Sequence, residues 1–227
     1  MLLSELKKKI SSIYRDCYSY QDSGYIVETK VGRAARKQRI TFETRYLKPA
    51  FFMLEWQTDP WLEGSSKTNI IKANESGIFI KKASGKTSTA ENIEQGLKRL
   101  SGISRRVSIE IPSLLLNFSQ GALDYEYDNF GTGSCSEIDL YFFECKSTSL
   151  FRYVEVEKDR MLLRRIEEHK DVDATLLLPE DMLSKVQKDL TLAGANPSNV
   201  LTSYQCISEI FYSSVILNAP ISKSIFD

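Results

Sequence analysis

The residues able to do chemistry are few and scattered. The single histidine, His169, sits in the charged run Arg164-Arg165-Ile166-Glu167-Glu168-His169-Lys170, where an imidazole reads as a solvated side chain rather than a base. Asp124, Glu126 and Asp128 alternate in an acidic loop and could offer oxygens to calcium. An EF-hand loop needs glycine at its sixth position, and that position is Asn129. Gly131-Thr132-Gly133 lacks the spacing and the lysine of a phosphate-cradling loop. There is no Gly-x-Ser-x-Gly elbow and no His-Glu-x-x-His. Cys17, Cys135, Cys145 and Cys206 are too widely spaced for a zinc site and too sparse for a disulfide framework, so they read as buried free thiols. The expectation is no catalytic residue, no metal and no cofactor. A carboxylate pair hidden among the 30 acidic residues is the enzymatic alternative.

What stands out instead is the stretch Arg39 to Gln57. Ile40, Phe42, Thr44 and Tyr46 alternate with Arg39, Thr41, Glu43 and Arg45. That period of two marks a strand with one apolar and one wet face. After Leu47-Lys48-Pro49-Ala50 the alternation resumes, with Phe52, Leu54 and Trp56 on one face and Met53 and Glu55 on the other. The pair reads as an antiparallel hairpin. Its apolar face is rich in large aromatics and must be covered by helices, by a second sheet or by a ligand.

At 227 residues, 42% hydrophobic and 26% charged, the chain fits an ordinary globular protein of one large or two small domains. Lys+Arg and Asp+Glu both total 30, so no net field favours nucleic acid. No run of 18 apolar residues suggests a transmembrane segment. Met1 to Lys9 lacks an apolar h-region and a cleavage site, so either the protein is cytoplasmic or Met1 replaces a removed leader.

Leu3, Leu6, Ile10, Ile13 and Cys17 recur at helical spacing, and Tyr18 to Gly24 is expected to end that helix. Tyr25 to Val31 follows as a first strand. Short strands are expected at 69–73 and 77–81 around the turn Asn74-Glu75-Ser76-Gly77. Ser88 and Glu91 form a capping box for a helix carrying Ile93, Leu97 and Leu100. Pro112 suits the first turn of a second helix over 113–119. Ile138 to Phe143 alternates as a strand, Phe151–Glu157 and Met161–Glu168 form a hairpin, Pro179-Glu180-Asp181 opens a helix, and Ser208 to Leu217 is a last strand.

The order of these elements resembles the lipoprotein-localization-factor (LolA/LolB-like) fold of bacterial periplasmic carriers, and a group of predicted periplasmic proteins of unknown function that share it. The residues that carry the resemblance are Tyr20-Gln21-Asp22-Ser23-Gly24, Phe42 to Tyr46, and Lys48-Pro49-Ala50-Phe51-Phe52-Met53-Leu54-Glu55-Trp56. Asn74-Glu75-Ser76-Gly77 with Phe79, the helix at 91–101 with Pro112-Ser113-Leu114-Leu115-Leu116, Leu162 to Glu167, and Asn218-Ala219-Pro220-Ile221 with Phe226 complete the series. Each motif is weak alone, and their order carries the weight.

The resemblance implies an α+β fold: a curved, unclosed antiparallel half-barrel with helices covering its concave face. It implies a single domain over 1–227, with 179–199 as inserted helical material. It further implies a hydrophobic cavity lined by Phe42, Tyr46, Phe52, Leu54, Trp56 and Phe79, with Ile93 and Leu97 on the covering helices. Lys48, Arg36 and Arg39 are candidates for lid or head-group contact. Lys48 stands where the lipoprotein carrier has an arginine, and it lacks that residue's planar fork of donors. The implied role is a non-catalytic periplasmic binder or carrier of a lipid or acyl chain. The rival is an envelope protein–protein interaction module whose half-barrel is filled by its own helices. Read from the residues alone, the aromatic stripe is ordinary core and the basic segment Arg33 to Arg39 a solvated hairpin tip.

Overall fold

The computed structural model describes residues 2–31, 36–58, 67–101, 104–172, 180–194 and 204–226. Helix α1, Leu3–Asp16, opens the chain and buries Leu6, Ile10 and Tyr14. A meander follows: β1 Ser19–Val31, β2 Arg36–Leu47, β3 Phe51–Thr58, β4 Lys67–Asn74, β5 Gly77–Lys81 and β6 Thr87–Thr89. Two helices come next, α2 Ile93–Leu100 and α3 Val107–Leu116. The second meander is β7 Asn129–Cys135, β8 Ile138–Lys146, β9 Leu150–Glu157 and β10 Leu163–Val172. Helix α4, Glu180–Leu192, precedes β11, Tyr204–Leu217, and a 3-10 turn over Lys223–Phe226 ends the fold.

The eleven strands among the described residues form one antiparallel sheet in the order β6-β5-β4-β3-β2-β1-β11-β10-β9-β8-β7. The first and last strands pair at its centre, and β6 and β7 are its two ends, so the sheet is not closed. The connection from β6 to β7 therefore runs from one edge to the other. It carries α2 and α3 across the concave side. Gly96 of α2 lies close against Ile71 of β4, while Glu110 of α3 bonds Arg152 of β9. The helical layer thus touches both arms of the sheet. This is the α+β half-barrel with a helix-covered concave face.

Inward residues of the strands and the buried faces of α1, α2 and α3 make one core. Its strand side includes Ile26, Ile40, Phe42, Phe52, Leu54, Trp56, Ile71, Phe143, Val154 and Ile166; its helix side includes Leu6, Ile10, Tyr14, Leu97, Leu100, Ile111 and Leu115. A small second cluster lies on the other face of β3, where Phe51 and Met53 are capped by Phe226. Asn74 Nδ2 fixes that tail by donating to the Phe226 carbonyl at 3.0 Å.

Several local expectations are corrected. Strand β1 starts at Ser19 rather than Tyr25, because the polar stretch holds two buried inward residues that satisfy each other: the Tyr20 hydroxyl donates to Asp22 at 2.6 Å. Ser88 does not cap α2; it lies in β6, and Asn92 is the cap, accepting from the Gln95 N–H at 2.8 Å. Pro112 lies inside α3 rather than at its start. The Gly-rich strand β7 was not expected. Pro179, at the expected helix start, lies outside the described residues, and α4 is described from Glu180. All four cysteines are free thiols, Cys17 and Cys145 buried and Cys135 exposed.

Candidate functional site: the covered half-barrel and its cleft

The hairpin β2–β3 sets the apolar face by register. Phe42 stands opposite Trp56, Thr44 opposite Leu54 and Tyr46 opposite Phe52. All six are buried and face the helices. Leu97 is fully buried on α2, and Ile93 packs against the same core while half-buried. The structure thus brings seven of the expected cavity residues into one interior, in contact with helix side chains.

Phe79 is not among them. It pairs with Lys72 on the outward face of β5 and is 46% exposed, because the inward position of that strand is taken by Ile80. The three basic candidates are also elsewhere. Lys48 donates to the Arg15 carbonyl at 2.6 Å, at the C-terminal end of α1. Arg39 stacks over the Tyr25 ring at 4.1 Å and lines an outward-facing cleft with Glu43, Glu55 and Gln57. The side chain of Arg36 lies outside the described part.

Among the described residues, the buried polar atoms without a hydrogen-bond partner include the Trp56 indole N–H and the Tyr212 hydroxyl. Such groups are rare in a finished core. Tyr212 meets Phe42 edge-on at 5.6 Å. Gly24, opposite both Phe42 and Tyr212 at a bulge in β1, makes room for them; a Cβ there would sit 2.6 Å from Phe42 Cζ and 2.1 Å from the Phe211 carbonyl oxygen.

The most charged part of the interior was not anticipated. Arg152 is fully buried at an inward position of β9, beside Val154. Its Nη2 donates to Glu110 Oε2 of α3 at 2.6 Å, and its Nη1 to Glu168 Oε2 of β10 at 2.6 Å. Its guanidinium lies 4.3 Å from the Tyr125 ring centroid. Arg106, the residue before α3, adds an Nε bond to Glu110 Oε1 at 2.8 Å. Burial alone would lower the Arg152 pKa, but the charge of Glu110, and then of Tyr127 and Glu168, outweighs it and holds the guanidinium firmly protonated. Burial likewise disfavours the Glu168 carboxylate, yet Arg152 and Lys170 bring its pKa below the ordinary value. Arg152 and Glu168 therefore hold their charges, and the cluster ties the helical cover to the far arm of the sheet. One signal for it stood in the sequence: Glu110 is the lone charge in the apolar run Val107 to Leu116, and Arg152 shares parity with Val154 and Val156.

Beside this cluster a cleft of about 200 Å³ opens between the start of α3 and strands β1, β10 and β11. Ile166 and Ile210 form part of its wall and belong to the core as well, so the cleft is walled in part by core side chains. At the opposite end, Asp22 is buried among Tyr20 and Thr44. Burial raises its pKa to about 7 against the opposing hydrogen bonds from Tyr20 and Thr44. Among the described residues no group of three or more His, Cys, Asp or Glu side chains is placed to hold a metal ion, and no helix is long and apolar enough to cross a membrane.

No family model matches the chain, and no curated protein matches it. Among solved structures, it is similar to LprF from Mycobacterium bovis, at 9% identity over 96% of this chain and 93% of that one, with a TM-score of 0.41. A chain of the Pseudomonas aeruginosa MucA/MucB complex is 10% identical over 99% of this chain and 60% of that one, with a TM-score of 0.41. A LolA superfamily protein from Nitrosomonas europaea is 12% identical over 100% of this chain and 98% of that one, with a TM-score of 0.37.

Proposed function

We propose that this protein is a non-catalytic binder or carrier of a hydrophobic ligand, a lipid or acyl chain, working in the periplasm. The observation that carries the reading is the cover: an apolar half-barrel crossed from edge to edge by α2–α3, with the far end of that crossing held by one ion cluster beside a cleft walled in part by core side chains. Parting the helices from the sheet exposes a ready apolar trough of Phe42, Tyr46, Phe52, Leu54 and Trp56, with Ile93 and Leu97 on the moving side. An acyl chain laid there gains about 0.8 kcal/mol per buried methylene. The unpartnered Trp56 and Tyr212 donors supply polar contacts for an ester or acid oxygen. Helix motion of this kind is the usual gate of a covered site.

A specific observation supports a second reading. In the closed state the trough is occupied by side chains of α1, α2 and α3, as expected of an envelope protein–protein interaction module with a self-filled half-barrel. Extracting the purified protein with solvent and analysing the extract by mass spectrometry separates the two. A stoichiometric lipid supports the carrier. Lipid-free protein that also fails to take up fatty acid supports the interaction module. Fractionation of the native host checks the compartment, since recovery with cytoplasmic markers would contradict a periplasmic role.

A further inference from the structure

The rim of the cleft beside α3 is chemically one-sided. Three of the ion pairs among its lining residues reach toward solvent, those of Arg105, Arg106 and Lys170, and in these the carboxylate is the more buried partner. Glu28 is 6% exposed beneath Arg105 at 34%, Glu110 is 0% beneath Arg106 at 25%, and Glu168 is 8% beneath Lys170 at 44%. The acids therefore spend their charge inward, and the charge that solvent meets is positive. The lining as a whole holds Arg105, Arg106, Arg152 and Lys170 against Glu28, Glu110 and Glu168, an excess of one cation. Below this rim the wall turns apolar at Val172, Ile166 and Ile210. The Ser208 hydroxyl in the same lining is buried without a hydrogen-bond partner.

A cationic rim over an apolar wall, with an unused hydroxyl between them, is complementary to a molecule with a charged head and a greasy tail. We propose that this cleft is the head-group site for an anionic amphiphile, with a carboxylate or phosphate on Arg105, Arg106 and Lys170 and the first methylenes of its chain on Ile166 and Ile210. This deepens the carrier reading and rests on it. It also moves head-group recognition away from Lys48 and Arg39, which are not part of the cleft lining: Lys48 is bonded to the end of α1 and Arg39 is stacked on Tyr25. Arginine is suited to the task because its planar donors match both carboxylate and phosphate.

The test is calorimetric titration of the full chain, below the critical micelle concentration, with four probes: dodecanoate, dodecyl phosphate, dodecyl maltoside and inorganic phosphate. The expected order places both anionic amphiphiles at least about tenfold tighter than the maltoside, a difference of ~1.4 kcal/mol. Their advantage should shrink as salt rises. Lys170→Gln, at a half-exposed position that leaves Glu168 paired with Arg152, should weaken dodecanoate several-fold and leave the maltoside unchanged. Arg105→Lys, which keeps a charge over Glu28, should weaken dodecyl phosphate less than Arg105→Gln. Equal affinity for anionic and neutral amphiphiles, or no response to Lys170→Gln, overturns the head-group assignment alone. Binding of inorganic phosphate as tight as dodecyl phosphate replaces the amphiphile with a free anion and also overturns it. Failure of every amphiphile to bind overturns the carrier reading with it.

Discussion

Glu110 on α3 and Arg152 on β9 meet at 2.6 Å with both side chains fully withdrawn from solvent, 42 residues apart in the chain. A buried pair of this kind contributes little net stability over an apolar pair of the same shape, because both charges have lost their water. Removing one partner is different, since it strands the other. The pair therefore acts as a fastening of defined strength between cover and sheet.

Glu110→Gln should lower stability by about 3 kcal/mol, read from the denaturant midpoint, because Arg152 keeps only Glu168 as a full counter-charge. Hydrogen exchange should rise most in α3 and least in α1, whose Tyr14 hydroxyl accepts from the Leu163 N–H on its own at 2.8 Å. Replacing the pair together, Glu110→Leu with Arg152→Met, should recover most of the loss. Uniform exchange across all three helices would contradict a local fastening.

Asp22 gives stability a pH dependence of definite sign. Its carboxyl is raised from 3.8 to about 7 when folded, chiefly by burial. The unfolded chain gives up this proton first as pH rises, so the contribution is whole below pH 4, declines through the interval up to about 7, and is then lost. The expected span is about 4 kcal/mol. Glu168 works in the other direction: with its folded pKa lowered, its contribution is present above the ordinary glutamate range and lost in stronger acid. Comparing wild type with Asp22→Asn across pH 4 to 8 isolates the aspartate. The variant should lack the decline, and a parallel decline in both proteins would contradict the assignment.

Gly24→Ala tests the packing under the bulge. The added methyl would meet the Phe211 carbonyl oxygen at 2.1 Å and the Phe42 ring at 2.6 Å, far inside contact distance. Overpacking of this type costs about 1–3 kcal/mol. Gly24→Ala with Phe42→Leu should recover part of the loss by relieving the ring contact, while the clash with the backbone oxygen persists.

How much of this was legible depended on where the partner of each residue lay. Strands β2 and β3 could be read directly, because an apolar–polar alternation reports a half-buried strand without further information. The start of β1 could not, because Asp22 looks like a turn residue until Tyr20 and the Thr44 N–H are placed around its carboxylate. The bounds of helix α3 are not legible because it is buried nearly all round, so its sequence shows no amphipathic period. Pro112 then looked like a helix start. Strand β7 is an exposed edge rich in glycine, with Phe130 as its one large apolar side chain, and strand propensity does not find such a segment. The ion cluster needed β9, α3 and β10 to be brought together; only the isolation of Glu110 and Arg152 among apolar neighbours hinted at it.

The central claim is that the trough under α2–α3 accepts a hydrophobic chain, and Trp56 reports on it most directly. It is 1% exposed, faces the helices and has an unpartnered indole N–H. Trp61→Phe leaves it as the sole tryptophan of the two in the chain. Titrating that variant with a long-chain fatty acid should give a saturable change in emission, and Trp56→Ala should weaken binding of a fluorescent fatty acid besides costing about 3–5 kcal/mol of stability. A wild type that binds no fatty acid, with Trp56→Ala losing stability alone, would contradict the claim and leave the aromatic face as packed core.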